Sequence, residues 1–122
     1  MSSKYLEIED CVRKTLSEKI GKGLSKKTVV LFNGTTREFD GLTEDREIVV
    51  EIKASRIPAK GKIRHTQLAE MSEACLFMLA LNETKRRVLA ISNKDFYSAF
   101  VMSSQAEAAR ILGIEILHVP CD

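Results

Sequence analysis

Apolar residues recur at helical spacing from the start of the chain. Tyr5, Ile8, Val12, Leu16 and Ile20 share one face of a helix predicted over residues 4–20, and Gly21 and Gly23 end it. The pattern then changes period. Residues 28–32 are apolar and β-branched enough for a strand, and Asn33-Gly34 is a strong hairpin signal leading into a second strand over 36–42. A polar turn at 43–46 precedes a third strand over 47–54, apolar on both faces through Ile48, Val49 and Val50, and hence expected at the centre of a covered sheet. After Pro58 and the basic loop at 60–62, Leu68, Met71, Cys75, Met78 and Leu79 mark a second helix over 64–81. Residues 87–92 read as a fourth strand. A helical region over 95–112, with a break expected near Ser103-Ser104, is closed by Gly113, and 114–119 is a last strand. The predicted order is αβββαβαβ: an antiparallel meander feeding crossover helices, an α/β fold with a mixed central sheet flanked by helices on both faces.

At 122 residues this is expected to be one domain, 1–122, with 44% hydrophobic and 30% charged residues, an ordinary soluble composition. Its longest apolar run, within 75–81, falls far short of a membrane span, and the amphipathic charged start does not look like a signal-peptide core. Cys11, Cys75 and Cys121 are an odd, widely spaced set without a CxxC pair. That argues against a disulfide framework or zinc site and for a reducing, cytoplasmic location, nucleoid-associated if cellular. Net charge is only +2, so placement says more than the total. Basic residues collect at 19–27, 56–65 and 85–87, and acidic ones at 38–51. Such clusters can follow a phosphate backbone, or be solvated loops and helix ends.

The third strand carries the candidate chemistry. Alternation puts Ile48, Val50 and Ile52 on one uniformly apolar face, and Val49, Glu51 and Lys53 on the other. A carboxylate and an ammonium at the end of a buried strand are costly unless compensated. Asp40, on the adjacent strand, can bring its carboxylate to that of Glu51 if the register is odd. Paired carboxylates favour a raised pKa or a bound cation. Oxygens from Asp40, Glu51 and the Ile52 carbonyl suit Mg²⁺, with Mn²⁺ as substitute. The plain alternatives are a salt bridge between Glu51 and Lys53 and a turn-proximal acid at Asp40.

Asp40, ten residues, then Glu51-Ile52-Lys53 resembles the PD-(D/E)XK nuclease superfamily, although Phe39 stands where the motif has proline. The resemblance covers about residues 4–92. It implies a restriction-endonuclease-like αβββαβ core, with a C-terminal αβ extension. It also implies a metal-dependent DNA endonuclease in which Asp40 and Glu51 hold the metal and Lys53 supports the nucleophile and the developing charge.

Two further positions fit that resemblance. Glu9 lies on the apolar face of the first helix and resembles the helical glutamate that archaeal Holliday-junction resolvases add to the metal site; otherwise it pairs with Arg13 or caps the helix. Gln67, in the first turn of the second helix, resembles a glutamine of RecB-like nucleases; otherwise it satisfies free backbone amides. Arg56, Lys60, Lys62 and Arg64 follow the third strand and are candidate DNA contacts or a flexible loop. His65 and His118 have no partner at ligand spacing and read as structural or surface residues. The resemblance leans towards a structure-selective, homodimeric enzyme such as a junction resolvase, working with accessory DNA-processing proteins. The rivals are a catalytically idle nuclease-fold module for DNA binding or assembly, and a restriction-type fragment separated from its partner domain.

Overall fold

The computed structural model describes residues 3–31, 33–59 and 61–122. Helix α1 (Ser3–Ile20) is followed by β1 (Ser25–Val30), β2 (Thr36–Leu42) and β3 (Ile48–Lys53). Then come α2 (His65–Leu79), β4 (Arg86–Ile91), α3 (Lys94–Phe100), α4 (Ser104–Ile111) and β5 (Ile114–His118). The five strands form one sheet in chain order. β1–β2 and β2–β3 pair antiparallel, and β3–β4 and β4–β5 pair parallel. This is the expected mixed α/β sheet.

Two cores hold it, one on each face. Ile8, Val12 and Leu16 of α1 pack on Ile48, Val50, Ile52, Val88 and Ala90. On the other face α2, α3 and α4 bring Met71, Cys75, Met78, Phe96, Phe100, Ala106 and Ala109 against Phe39, Leu42, Val49, Leu89, Ile91, Ile114 and Ile116. β3 is buried on both faces from Ile48 to Ile52, as its apolar run required. Ser103 caps α4 by accepting from the Ala106 amide, so the helical region divides where two serines favour a cap over a continued helix. No helix among the described residues is long and apolar enough to cross a membrane.

Two expectations are corrected. β1 begins at Ser25 rather than 28, because an edge strand tolerates polar side chains and only Val29 along it is buried. The hairpin turn itself includes Gly34 at φ 86°, while Phe32 lies outside the described residues. The second correction is chemical: Cys11 and Cys121 form a disulfide, 110 residues apart, and Cys75 stays free and buried. Spacing along the chain hides this pairing. The segment after β5 returns beside α1, with Val119 in the same core as Val12. The inference of a reducing compartment loses its ground with the bridge. Alkylation of the denatured, unreduced protein is expected to label one cysteine, and Cys11→Ser to cost about 2–3 kcal/mol in urea unfolding.

Candidate functional site

The site begins with an irregularity in β2. Between the pairs Ser25↔Leu42 and Lys27↔Phe39, β2 advances three residues while β1 advances two. This bulge lets Phe39 and Leu42, three apart, enter the same core, which strict alternation forbids. Asp40 lies in the bulge. The β2–β3 ladder contains Gly41↔Val50 and Leu42↔Val49 and goes no further, so the strands part at Asp40 and Glu51. The Asp40 side chain takes over as partner: its Oδ2 accepts from the Ile52 amide at 2.9 Å. The Arg13 Nε donates to the Asp40 carbonyl at 2.8 Å and fixes the bulge from α1.

Glu51 is 3% exposed, and its Oε1 has no hydrogen-bond partner among the described residues. Burial first, then the Asp40 carboxylate within hydrogen-bonding reach, push its carboxyl up to about 9; Arg37 and Lys53 pull the other way. The expected meeting of Asp40 with Glu51, and the nearness of Lys53, are both present. Strand geometry adds a third oxygen. Lys53 offers its carbonyl to the Ser92 amide on the β4 side. Alternation therefore turns the Ile52 carbonyl, like its amide, towards the gap beside Asp40. Beneath the site, burial pushes the Cys75 thiol up to about 11, which leaves it a poor nucleophile.

Glu9 is buried, as its place on the apolar face required, but its neighbours are cations. Its Oε1 lies 2.6 Å from Arg13 Nη2 and 2.9 Å from Lys26 Nζ. Among the described residues no three His, Cys, Asp or Glu side chains gather as a metal-holding group, so Glu9 does not join Asp40 and Glu51 as a third ligand. The cause is electrostatic: two basic groups compensate its charge where it stands. Tyr5 of α1 lies within electrostatic reach of both groups. Burial raises its phenol pKa, and Asp40, Glu9 and Glu51 raise it further.

Gln67 is engaged elsewhere. Its Oε1 accepts from the Arg64 amide and its Nε2 donates to the Arg56 carbonyl, both at 3.0 Å. It ties the segment after β3 to the start of α2, a capping and positioning role rather than contact with the carboxylates. Arg56, Lys62 and Arg64 are exposed along that segment, and Arg56 pairs with Asp122. Lys60 lies outside the described residues. His65 is exposed at the start of α2, and His118 is half-buried with its ring 5.4 Å from that of Tyr97.

Arg37 is the residue that sequence reasoning passed over. Its guanidinium lies 4.0 Å from Glu51 Oε1 and 4.3 Å from the centre of the Phe77 ring. A signal was available: Arg37 sits two residues before Phe39, and alternation turns both to the same face. Compared with protein-family models, curated proteins and solved structures, the chain matches none.

Proposed function

We propose that this chain is a metal-dependent DNA endonuclease of the PD-(D/E)XK type, with its centre at Asp40, Glu51 and Lys53. The observation that carries the reading is the pairing of two carboxylates, one buried with an oxygen that has no partner among the described residues, where β2 and β3 part and Lys53 follows. Without compensation this is an unfavourable place for negative charge, and Glu51 keeps a proton there.

The donors present fit Mg²⁺ or Mn²⁺. Asp40, Glu51 and the Ile52 carbonyl are hard oxygens on neighbouring strands, and such ions retain several waters, so three protein oxygens suffice. When bound, the ion supplies Lewis acidity to the scissile phosphate and to the attacking water. The chain does the rest. Glu51 would hold the ion as its carboxylate, the form that burial beside Asp40 disfavours in the metal-free protein. The Ile52 amide holds Asp40 in one rotamer. Lys53 donates to the attacking water and to charge developing on the phosphate.

The other reading, an idle nuclease-like module that binds DNA without cutting it, is favoured by one observation: Glu9 is already compensated by Arg13 and Lys26 and lends nothing to a cation. Incubation with branched, nicked and linear DNA in Mg²⁺ and in EDTA separates the two. The endonuclease cuts at least one of these in Mg²⁺ and none in EDTA; binding without metal-dependent cleavage on any substrate leaves the module. Asp40→Asn is expected to raise the Mg²⁺ concentration for half-maximal cleavage by about 10–100-fold, with part of the activity returning at high Mn²⁺.

A further inference from the structure

Three arginines packed against the sheet are tightly engaged. Arg13 reaches Glu9 at 2.6 Å, Asp10 at 2.8 Å and the Asp40 carbonyl at 2.8 Å. Arg86 grips both oxygens of Glu115 at 2.6 and 3.0 Å, and Arg87 donates to the Met78 and Leu81 carbonyls at 2.8 and 2.7 Å. These are closed, structural arrangements with their donors used. Arg37 differs. Its Nη1 donates a long hydrogen bond to Glu73 at 3.4 Å, its Nη2 stands 4.0 Å from Glu51, and its Nε is buried without a partner among the described residues. A guanidinium placed to neutralise a carboxylate closes to about 2.7–2.9 Å, often through two bonds.

What holds Arg37 is instead a flat surface. One face of the guanidinium lies over Phe77, which holds the group at little entropic cost and leaves Nη2 at 4.0 Å from Glu51, beyond hydrogen-bonding distance. The side chain is 25% exposed while Nε is buried, so the Nη atoms are the part that a ligand would meet. It stands beside Glu51, where the β2–β3 ladder has ended. A polyanion approaching this gap meets the Asp40 carboxylate and needs a cation on the protein to offset it. A planar guanidinium whose Nη1 is only loosely held and whose Nη2 is unspent matches the non-bridging oxygens of a phosphate diester.

We infer that Arg37 holds a backbone phosphate of bound DNA next to the one being cut. The identity of the polymer rests on the nuclease reading; the geometry of the arginine does not. Arg37 is thus assigned to substrate binding, on the α2 side of the sheet, opposite the face covered by α1.

The test is DNA binding by fluorescence anisotropy, in EDTA, with a short duplex over a series of salt concentrations. Wild type, Arg37→Gln and Arg37→Lys are compared. One lost phosphate contact makes the slope of log K against log salt shallower by about 0.9. Arg37→Gln is expected to show that change and about tenfold weaker binding at low salt, the loss of one charge-assisted bond. Arg37→Lys keeps the charge and loses the fork, so it retains the wild-type slope with affinity several-fold lower. Should Arg37→Gln fail to fold, the lysine variant decides, since wild-type affinity in it overturns the inference. An unchanged slope and affinity in Arg37→Gln also overturns it, as does wild-type protein that binds no DNA. A parallel Mg²⁺ cleavage assay keeps the two readings apart. An Arg37-dependent slope without cleavage removes the nuclease and retains Arg37; cleavage with an unchanged slope does the reverse.

Discussion

Lys53→Ala is expected to lower cleavage of DNA in Mg²⁺ by about 10²–10³-fold while leaving binding in EDTA close to wild type. The separation follows from what a single cation does at each stage. In the complex it is one of several groups near the backbone, so its loss removes a small share of the affinity. In the transition state it faces charge that was absent before, in a place shielded from water, where a preorganised donor is worth far more. Lys53 is well placed for this. It is half-buried at the end of β3, its carbonyl accepts from the Ser92 amide after β4, and its charge acts on both Glu51 and Cys75. Single-turnover cleavage beside anisotropy measures both quantities. Binding and cleavage lost together in a folded variant would make Lys53 an anchor rather than a catalytic residue.

Glu51 gives the second large effect, on stability. Its carboxyl ordinarily titrates at 4.5 and in the folded, metal-free protein at about 9. Between those values the unfolded chain has released a proton that the folded chain still holds. Stability therefore falls as pH rises through this window, by up to about 1.4 kcal/mol per unit. Below it, both states are protonated and Glu51 contributes no penalty. Glu51→Gln is neutral throughout and lacks this slope. In EDTA the variant should be more stable than wild type by roughly 4–5 kcal/mol at pH 8 and equal to it near pH 4. Mg²⁺ should recover stability in wild type and not in the variant, because binding to the folded state alone shifts the equilibrium. Urea unfolding across pH, with and without Mg²⁺, reads both. Parallel pH profiles for the two proteins would mean that Glu51 is ionised in the folded state and that its burial is compensated.

Much of this was legible in the chain. Helical spacing located α1 and α2, and the two-sided apolar run of β3 put that strand inside the sheet. Its alternation also separated Ile48, Val50 and Ile52 from Glu51 and Lys53, and the structure keeps the first three in the core under α1. The bulge at Asp40 was not legible. Simple alternation has no place for an extra residue, and which strand absorbs one is decided by how Phe39 and Leu42 both reach the core. The cysteine bridge was hidden for a similar reason: contact between residues 11 and 121 depends on the whole sheet being assembled. Glu9 was correctly turned inward, but a helical face does not say which neighbour it meets, and Lys26 comes from β1. For Gln67, the plainer of two readings, satisfaction of a free backbone amide, describes what its side chain does.

The central claim is that Asp40 and Glu51 form a divalent-cation site. Crystals soaked in Mn²⁺ test it most directly, because anomalous scattering locates the ion without reference to activity. A peak is expected between the Asp40 and Glu51 carboxylates, with the Ile52 carbonyl at about 2.1–2.3 Å from it. A fully occupied Mn²⁺ elsewhere on the protein, with no peak in the gap between β2 and β3, would contradict it.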